Sequence, residues 1–347
     1  MILYDRRKRV TIKDVAQKAG VSTQTVSRVI NKFSYVSGKT RNHVEAVIQQ
    51  LGYHPSSLAR SLSQQRSYTL GIVTFDLKYI GSSLTLSGIA DKADELGYML
   101  LIKEVNTRTT QRVDDVIDAL LASQVDGILW AVPEIGDNHA WVEERLEKIP
   151  VPVLFLAMQP RLGIPSVATD NFQGAATAVL HLLDCNRKKI GHISGPLGWW
   201  EADERRRGWS ETLKAAGLNT SEGHCVEGDW SCGSGEQALS QLLESFPEMD
   251  AVFVANDQMA LSVLREVCRR GIRIPEQLAV IGFDNIPESS YFCPPLTTIS
   301  QDLRLLGEKA VQRMVEIIQA QQENRPFIAQ SSLITPNLVV RESSKPV

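Results

Sequence analysis

Apolar residues recur at two different periods along this chain. Between positions 12 and 51 the spacing is helical: Ile12, Val15, Ala16 and Ala19 share one face, then Val26, Val29 and Ile30, then Val44, Val47, Ile48 and Leu51. The residues between these sets predict where each helix starts and stops. Thr11 and Asp14 have capping-box spacing, Gly20 suits a left-handed stop, Val21 can plug the core, and Ser22 can cap a second helix running to about Ile30. A third helix begins near Ser37 and ends at Gly52. Two short helices about a glycine turn, the second turning Thr23, Gln24, Ser27 and Arg28 away from its apolar face, have a helix-turn-helix layout. Those side chains suit base reading, since Gln pairs with adenine, Arg with guanine, and the Thr methyl packs on that of thymine. After Tyr53, Pro55 can open a further helix with Leu58, Ala59 and Leu62 on one face. About eight residues are too few for a helix to stand alone in water, so this segment should fold only when something holds it.

From Tyr68 the pattern changes to short apolar runs alternating with helical stretches. YTLGIVTF, MLLIKEV, DGILWAV and VPVLFLA are separated by helices through Leu96 and near Val113 to Ser123. The alternation restarts from about Asn171 with RKKIGHISG, HCVEG, AVFVAND and LAVIGFD, separated by helices ending near Ala216, Ser245 and Arg270. Strands alternating with helices twice over imply an α/β body of two doubly wound parallel sheets. Such sheets bind ligands beyond the carboxyl ends of their strands. Asp76, Trp230, Asn256, Asp257 and Asp284 fall at or just past such ends, and Arg205 lies early in the helix after RKKIGHISG. Carboxylates, an amide, an arginine and an indole suit a neutral polyhydroxy ligand, which both donates and accepts hydrogen bonds and offers C–H faces to an aromatic ring. Asp257 is equally placed to cap the following helix.

Charge sharpens the division. The 347 residues carry a net charge of -3, which is unusual for a nucleic-acid binder, but the first 66 hold twelve Lys and Arg against three acids, a net of +9. The remaining 281 residues therefore carry -12. A small anion-binding domain joined to a larger acidic one fits that asymmetry. No run approaches the roughly 18 to 20 apolar residues of a membrane span, and the basic start lacks a signal-peptide core, so a cytoplasmic, nucleoid-associated protein without a membrane partner is expected. Cys185, Cys225, Cys232, Cys268 and Cys293 show no metal-ligand spacing and are read as reduced, mostly buried thiols. Residues 191–195, GHISG, miss the G-x-S-x-G elbow by one position, and no nucleophile set, metal or cofactor is expected.

The amino-terminal positions Thr11, Asp14-Val15-Ala16, Ala19-Gly20-Val21-Ser22, Thr25-Val26-Ser27-Arg28 and Asn31 resemble the head-piece signature of the LacI/GalR family of bacterial transcription regulators. The resemblance covers nearly the whole chain. In the second half it is nearest the lactose-repressor branch, through GDWS at 228–231, VANDQMAL at 254–261, Gly282 to Asp284, and residues 294–307. It implies a helix-turn-helix domain over 9–53, a hinge over 54–67, and a periplasmic-binding-protein-like ligand and dimerisation domain over 68–347. The body would have an N-lobe of about 68–168 and 301–328 and a C-lobe of about 169–300 and 329–342. Thr23, Gln24 and Arg28 would read bases in double-stranded operator DNA, with Thr11, Ser22, Thr25, Ser27 and Asn31 as positioning contacts. Leu62, flanked by Ala59 and Arg60, would wedge into the minor groove from a hinge helix. Arg205, Asn256 and Asp284 would hold sugar hydroxyls, Trp230 would stack, and Gln301 would line the far lip, with Asp76 a further candidate. Ala157 stands where that branch has an acid, and the loop Gly198-Trp199-Trp200-Glu201 replaces small polar residues, so one hydrogen-bond partner is lost, stacking surface is added, and the resemblance does not carry over the identity of the sugar. Without leucine heptads near Val347 a homodimer is expected, acting as a repressor released by a sugar inducer. A sugar-processing enzyme or an uptake binding protein would share the cleft, but neither accounts for the basic head. Replacing Arg28 with Ala should cost about 1 to 3 kcal/mol of operator binding and relax preference at one base pair. A gel-shift series on operator variants measures this, and uniform loss across all variants would make Arg28 a phosphate contact.

Overall fold

Helix α1, Ile12–Ala19, starts where the capping box predicts. The Thr11 hydroxyl accepts from the Asp14 N–H at 3.4 Å, and the Asp14 carboxylate accepts from the Thr11 N–H at 2.7 Å. Gly20 ends it at φ 64°, a conformation that costs a residue without a Cβ little. Ser22 caps α2, Thr23–Ile30, through a 3.1 Å bond from the Thr25 N–H, and Ser37 caps α3, Gly38–Leu51. Val15, Val26, Val29, Val44, Val47 and Tyr53 form the buried core of this unit. The computed structural model describes residues 10–30, 35–53, 66–105, 113–136 and 138–345 and divides the chain into Met1–Tyr68 and Thr69–Val347. The expected contacts at Asn31, Ala59, Arg60 and Leu62 lie outside the described residues.

The second unit has two lobes. The first comprises β1 (Thr69–Phe75), α4 (Ile80–Glu95), β2 (Met99–Val105), α5 (Val113–Ala122), β3 (Gly127–Ala131), α6 (Trp141–Arg145), β4 (Val153–Leu156) and β5 (Ser166–Thr169). The second follows with α7 (Asn171–Asp184), β6 (Ile190–Ser194), α8 (Trp200–Ala215), β7 (Cys225–Glu227), α9 (Cys232–Ser245), β8 (Ala251–Val254), α10 (Asp257–Arg269), β9 (Ala279–Phe283) and β10 (Thr297–Ser300). The chain then returns to the first lobe for α11 (Leu303–Gln322) and β11 (Ser331–Ile334), and ends in the second with β12 (Asn337–Val339). Strand order is β11-β5-β4-β3-β1-β2 in one sheet and β12-β10-β9-β8-β6-β7 in the other. In each sheet the first strand lies between the second and third, which is the doubly wound order whose crevice opens beyond the strand carboxyl ends.

Three expectations are corrected here. The last crossing is not at 329, because β11 pairs in parallel with β5 from Ser331 to Ile334, so this strand completes the first lobe. The second sheet is not wholly parallel, since β12 runs antiparallel to β10. Strands as short as β5, β11 and β12, the first two rich in Ser and Thr, carry too few apolar positions to register as a period. The cysteines are free, as expected, but Cys232, Cys268 and Cys293 are exposed and Cys185 and Cys225 half-buried.

Helices α4 and α11 pack through small residues. A Cβ on Gly88 would lie 2.1 Å from the Arg304 carbonyl oxygen, and one on Gly307 would lie 2.3 Å from that of Thr85. Backbone meets backbone there, so no side-chain rotation relieves the clash. Gly88→Ala should therefore destabilise the body by about 1 to 3 kcal/mol despite alanine's better helix propensity. Unfolding in urea monitored by circular dichroism tests this, and an unchanged midpoint would refute the close crossing.

Candidate functional site

In the amino-terminal unit the first half of α2 faces outward. Thr23, Gln24 and Arg28 are exposed, as are Thr11 and Ser22, while Thr25 and Ser27 are half-buried. The Ser22 and Thr25 hydroxyls share a 2.9 Å hydrogen bond at the helix start, and the Arg28 guanidinium lies 5.3 Å from the Tyr35 ring centroid. Fixing Val26 and Val29 in the core turns Thr23, Gln24 and Arg28 outward, toward a partner.

In the body, a cavity of about 120 Å³ opens between the lobes and is lined from both. Its first-lobe wall includes Tyr79, Ser82, Thr85, Ala157 and Thr169; its second-lobe wall includes Glu201, Arg205, Trp230, Asn256 and Asp284. An engineered cavity of roughly 150 Å³ accepts benzene, so this space is matched to one small ring. Several strand ends turn sharply here: Ala157 after β4 (φ 54°), Trp230 after β7 (φ 73°) and Asp284 after β9 (φ 119°) adopt backbone conformations that side chains disfavour. Such strain costs of order 1 to 3 kcal/mol per residue and concentrates where geometry serves binding.

Arg205 organises the wall. Its side chain is 5% exposed, and it donates from Nε to Asn171 Oδ1 at 2.8 Å and from Nη1 to the Ala255 carbonyl at 2.5 Å. The guanidinium lies 3.8 Å from the Phe283 ring centroid, and Nη1 is 3.9 Å from the Asp284 carboxylate. Gln301, on the segment crossing between lobes, donates to Asp284 at 2.6 Å. Burial raises Asp284 to about 6, with Arg205 and the Gln301 hydrogen bond pulling against it, and burial lowers Arg205. Trp230 lies across Gly195, whose absent Cβ would sit 2.2 Å from the indole.

Five of the six expected ligand residues, Arg205, Trp230, Asn256, Asp284 and Gln301, therefore meet around one cavity. Asp76 does not line it, because a 2.6 Å ion pair turns its carboxylate to Lys78. The cap expected at Asp257 is supplied by Asn256, whose Oδ1 accepts from the Met259 N–H at 2.9 Å while Nδ2 donates to the Trp230 carbonyl at 3.0 Å. Asp257 is wholly buried and accepts from Thr298 Oγ1 at 2.6 Å and the Ile286 N–H at 2.9 Å. Gly282 makes room for it, since a Cβ there would lie 2.2 Å from Asp257 Oδ1.

The segment read as the loop 198–201 instead opens α8 at Trp200. Trp199 occupies the N-cap position of that helix and packs against first-lobe Phe75 and Tyr79, with ring centroids 5.6 and 5.7 Å away, and against Trp230 at 5.9 Å. An antiparallel bridge joins Ile135 to Trp199, reinforced by Gly136 N–H to Gly198 O at 3.1 Å and Trp200 N–H to Glu134 O at 3.0 Å. Glu201 lines the cavity and was not among the expected ligand residues. Its position four residues before Arg205 on one helix was the available signal, because that spacing shares a face. Burial raises Glu201 to about 7; the Arg205 charge opposes that shift and the Asp284 charge adds to it.

Among the described residues no group of metal-ligating side chains occurs and no helix is long and apolar enough to cross a membrane. Residues 11–56 match the model of bacterial regulatory proteins of the lacI family, and residues 179–344 match a periplasmic binding protein-like domain. The chain is similar to the lactose operon repressor of Escherichia coli (strain K12), at 35% identity over 97% of this chain and 91% of that protein. It is 36% identical to the ribose operon repressor of the same strain over 96% of this chain and 99% of the other. A crystal structure of the lac repressor dimer bound to operator and the anti-inducer ONPF superposes with a TM-score of 0.87 at 35% identity, covering 97% of this chain and 99% of that one.

Burial, with the Asp284 charge adding, pushes Asp257 up to about 8, against hydrogen bonds from Thr298 and Ile286 that favour its ionised form. The native state keeps this proton while the unfolded chain releases it near the ordinary 3.8, so stability falls as pH rises between those values and returns with acid. Asp257→Asn preserves an acceptor for Ile286 and a partner for Thr298 and should flatten this dependence. Melting temperatures measured from pH 5 to about 8 check it; parallel curves for variant and parent would refute the assignment.

Proposed function

The chain belongs to the LacI family of bacterial regulatory proteins, and from that premise we propose how its two units divide the work of a DNA-binding transcriptional repressor. Two amino-terminal units of a homodimer present α2 to successive major grooves of a near-palindromic operator, with Thr23, Gln24 and Arg28 at base edges. Thr11, Ser22, Thr25, Ser27 and Asn31 hold the register on the backbone. The net charge of +9 over the first 66 residues supplies the attraction to phosphate, and Ala59, Arg60 and Leu62 act at the minor groove. The protein acts in the cytoplasm, bound to the nucleoid.

The effector is a small sugar taken up between the lobes as an inducer. One observation carries this reading: Arg205 from α8, and Trp230, Asp284 and Gln301 from separate strand ends, converge on a cavity sized for one ring. A guanidinium and an amide donate to ring hydroxyls, a carboxylate accepts from them, and the indole covers an apolar face. Because the chain crosses between lobes at residue 170 and again at 301–302 and 335–336, effector binding acts on the lobe arrangement rather than on one loop. Couplings of about 1 to 3 kcal/mol, weakening operator binding some 5- to 150-fold, suffice for a switch.

Removing the Arg205 charge altogether would leave a cluster of acids without a counter-charge, so Arg205→Lys is the cleaner substitution. It keeps the charge and loses the planar fork. Operator binding by this variant should persist while sugar no longer weakens it, as read by fluorescence anisotropy on labelled operator with increasing sugar. A variant that still releases operator at the parent's sugar concentration would remove Arg205 from the effector site.

A further inference from the structure

Of the two carboxyl groups that line the cavity, Glu201 is the one whose hydrogen-bonding capacity is unspent. Arg205 is held by Asn171 and the Ala255 carbonyl, Asn256 by Met259 and Trp230, and Asp284 by Gln301. The Glu201 carboxyl has no hydrogen bond or ion pair among the described residues, although it lies in the first turn of α8 and opens onto the cavity. The charged groups facing it are Arg205, on its own helix, and Asp284, beyond β9. The first-lobe wall opposite contributes Tyr79, Ser82, Thr85, Leu156, Ala157 and Thr169, none of them a carboxylate, histidine, lysine or arginine. A carboxyl without partners at the mouth of a built site is an acceptor waiting for a ligand donor.

Resting on the reading of the cleft as a sugar site, we propose that Glu201 is a specificity-determining contact, its carboxylate accepting hydrogen bonds from two adjacent hydroxyls of a neutral sugar ring. Position supports this. Glu201 and Arg205 sit one helical turn apart on the same face, so acceptor and donor address neighbouring positions of one ring. The backbone holds the pair rigidly, because Trp199, two residues before Glu201, is packed against Phe75 and Tyr79 and bridged to Ile135. Charge-assisted hydrogen bonds from hydroxyls are roughly twice as strong as neutral ones. They also favour the ionised carboxyl, and burial raises Glu201 to about 7, so binding near neutral pH should release a proton.

Isothermal titration of the full-length protein at about pH 7, in phosphate and in Tris, with D-glucose, D-galactose and D-glucosamine as probes, tests the proposal. For whichever neutral hexose binds, Glu201→Gln should weaken affinity roughly 10- to 100-fold and abolish the buffer-dependent heat of proton release. Glu201→Asp keeps the charge but draws it back by one methylene, and should retain proton release with weaker affinity. Operator binding by gel shift identifies folded variants, and the Asp variant decides the matter where the Gln variant does not fold. Parent-like affinity and heats in Glu201→Gln would overturn this inference alone. Binding of glucosamine to the exclusion of both neutral hexoses would overturn the hydroxyl chemistry in favour of an ammonium. Failure of the parent to bind any of the three would overturn the sugar reading, and with it this inference.

Discussion

One buried guanidinium constrains the whole cleft. Taking Arg205 out of water is unfavourable unless every face of it is occupied, and the second lobe surrounds it with the Asn171 amide, the Ala255 carbonyl, the Phe283 ring and the Asp284 carboxylate. The partners come from three different elements, so forming the site requires α7, β8 and β9 to be in register with α8 at once. The acids nearby then compete for one positive charge. Asp257 and Glu201 hold protons well above the ordinary carboxylate range, and Asp284 is raised less because it lies beside the arginine and accepts from Gln301.

That arrangement links the cavity to the segments that join the lobes. Gln301 is on the crossing from β10 to α11, and a second crossing is tied to the third where the Asp170 N–H donates to the Ile334 carbonyl at 2.9 Å. On the opposite side, Trp199 leaves the second lobe to pack among the aromatics of the first. A ligand that displaces Asp284 or Trp230 therefore pushes on groups that set how the lobes meet. The lobes themselves resist deformation, because the contact of α4 with α11 is backbone on backbone at Gly88 and Gly307.

The two units solve different physical problems. The amino-terminal unit has a core of a few valines and one tyrosine, with helices closed by side-chain caps, and leaves its polar residues exposed for a charged partner. At the cleft the body instead buries Arg205, Asn256 and Asp284 in hydrogen bonds to one another's neighbours, so a ligand meets a largely built network. That network stays open at the Glu201 carboxyl and at the Trp230 indole N–H.

How much of this was legible in the sequence follows from the range of the interactions. Caps and glycine stops at Thr11, Gly20, Ser22 and Gly52 act within one turn of helix, and alternating apolar runs report which face is buried, so both units and most of their elements could be read directly. Arg205, Trp230, Asn256 and Asp284 were legible because strand ends of doubly wound sheets converge, a rule of topology that needs no coordinates, whereas Gln301 was legible only through the family resemblance. Tertiary contacts decided the rest. Asp76 and Asp284 look alike as residues ending a strand, yet Lys78, two residues on, claims the first locally, while only the fold brings Gln301 to the second. Asn256 took the cap offered to Asp257 because Gly282, Thr298 and Ile286, brought up by β9 and β10, hold that carboxyl elsewhere. Strands as short as β11 and β12 take their place from pairing partners far away in sequence, and Glu201 belongs to the cavity because α8 begins one turn before Arg205. Local chemistry wrote the elements, and competition among distant partners for each polar group chose the site.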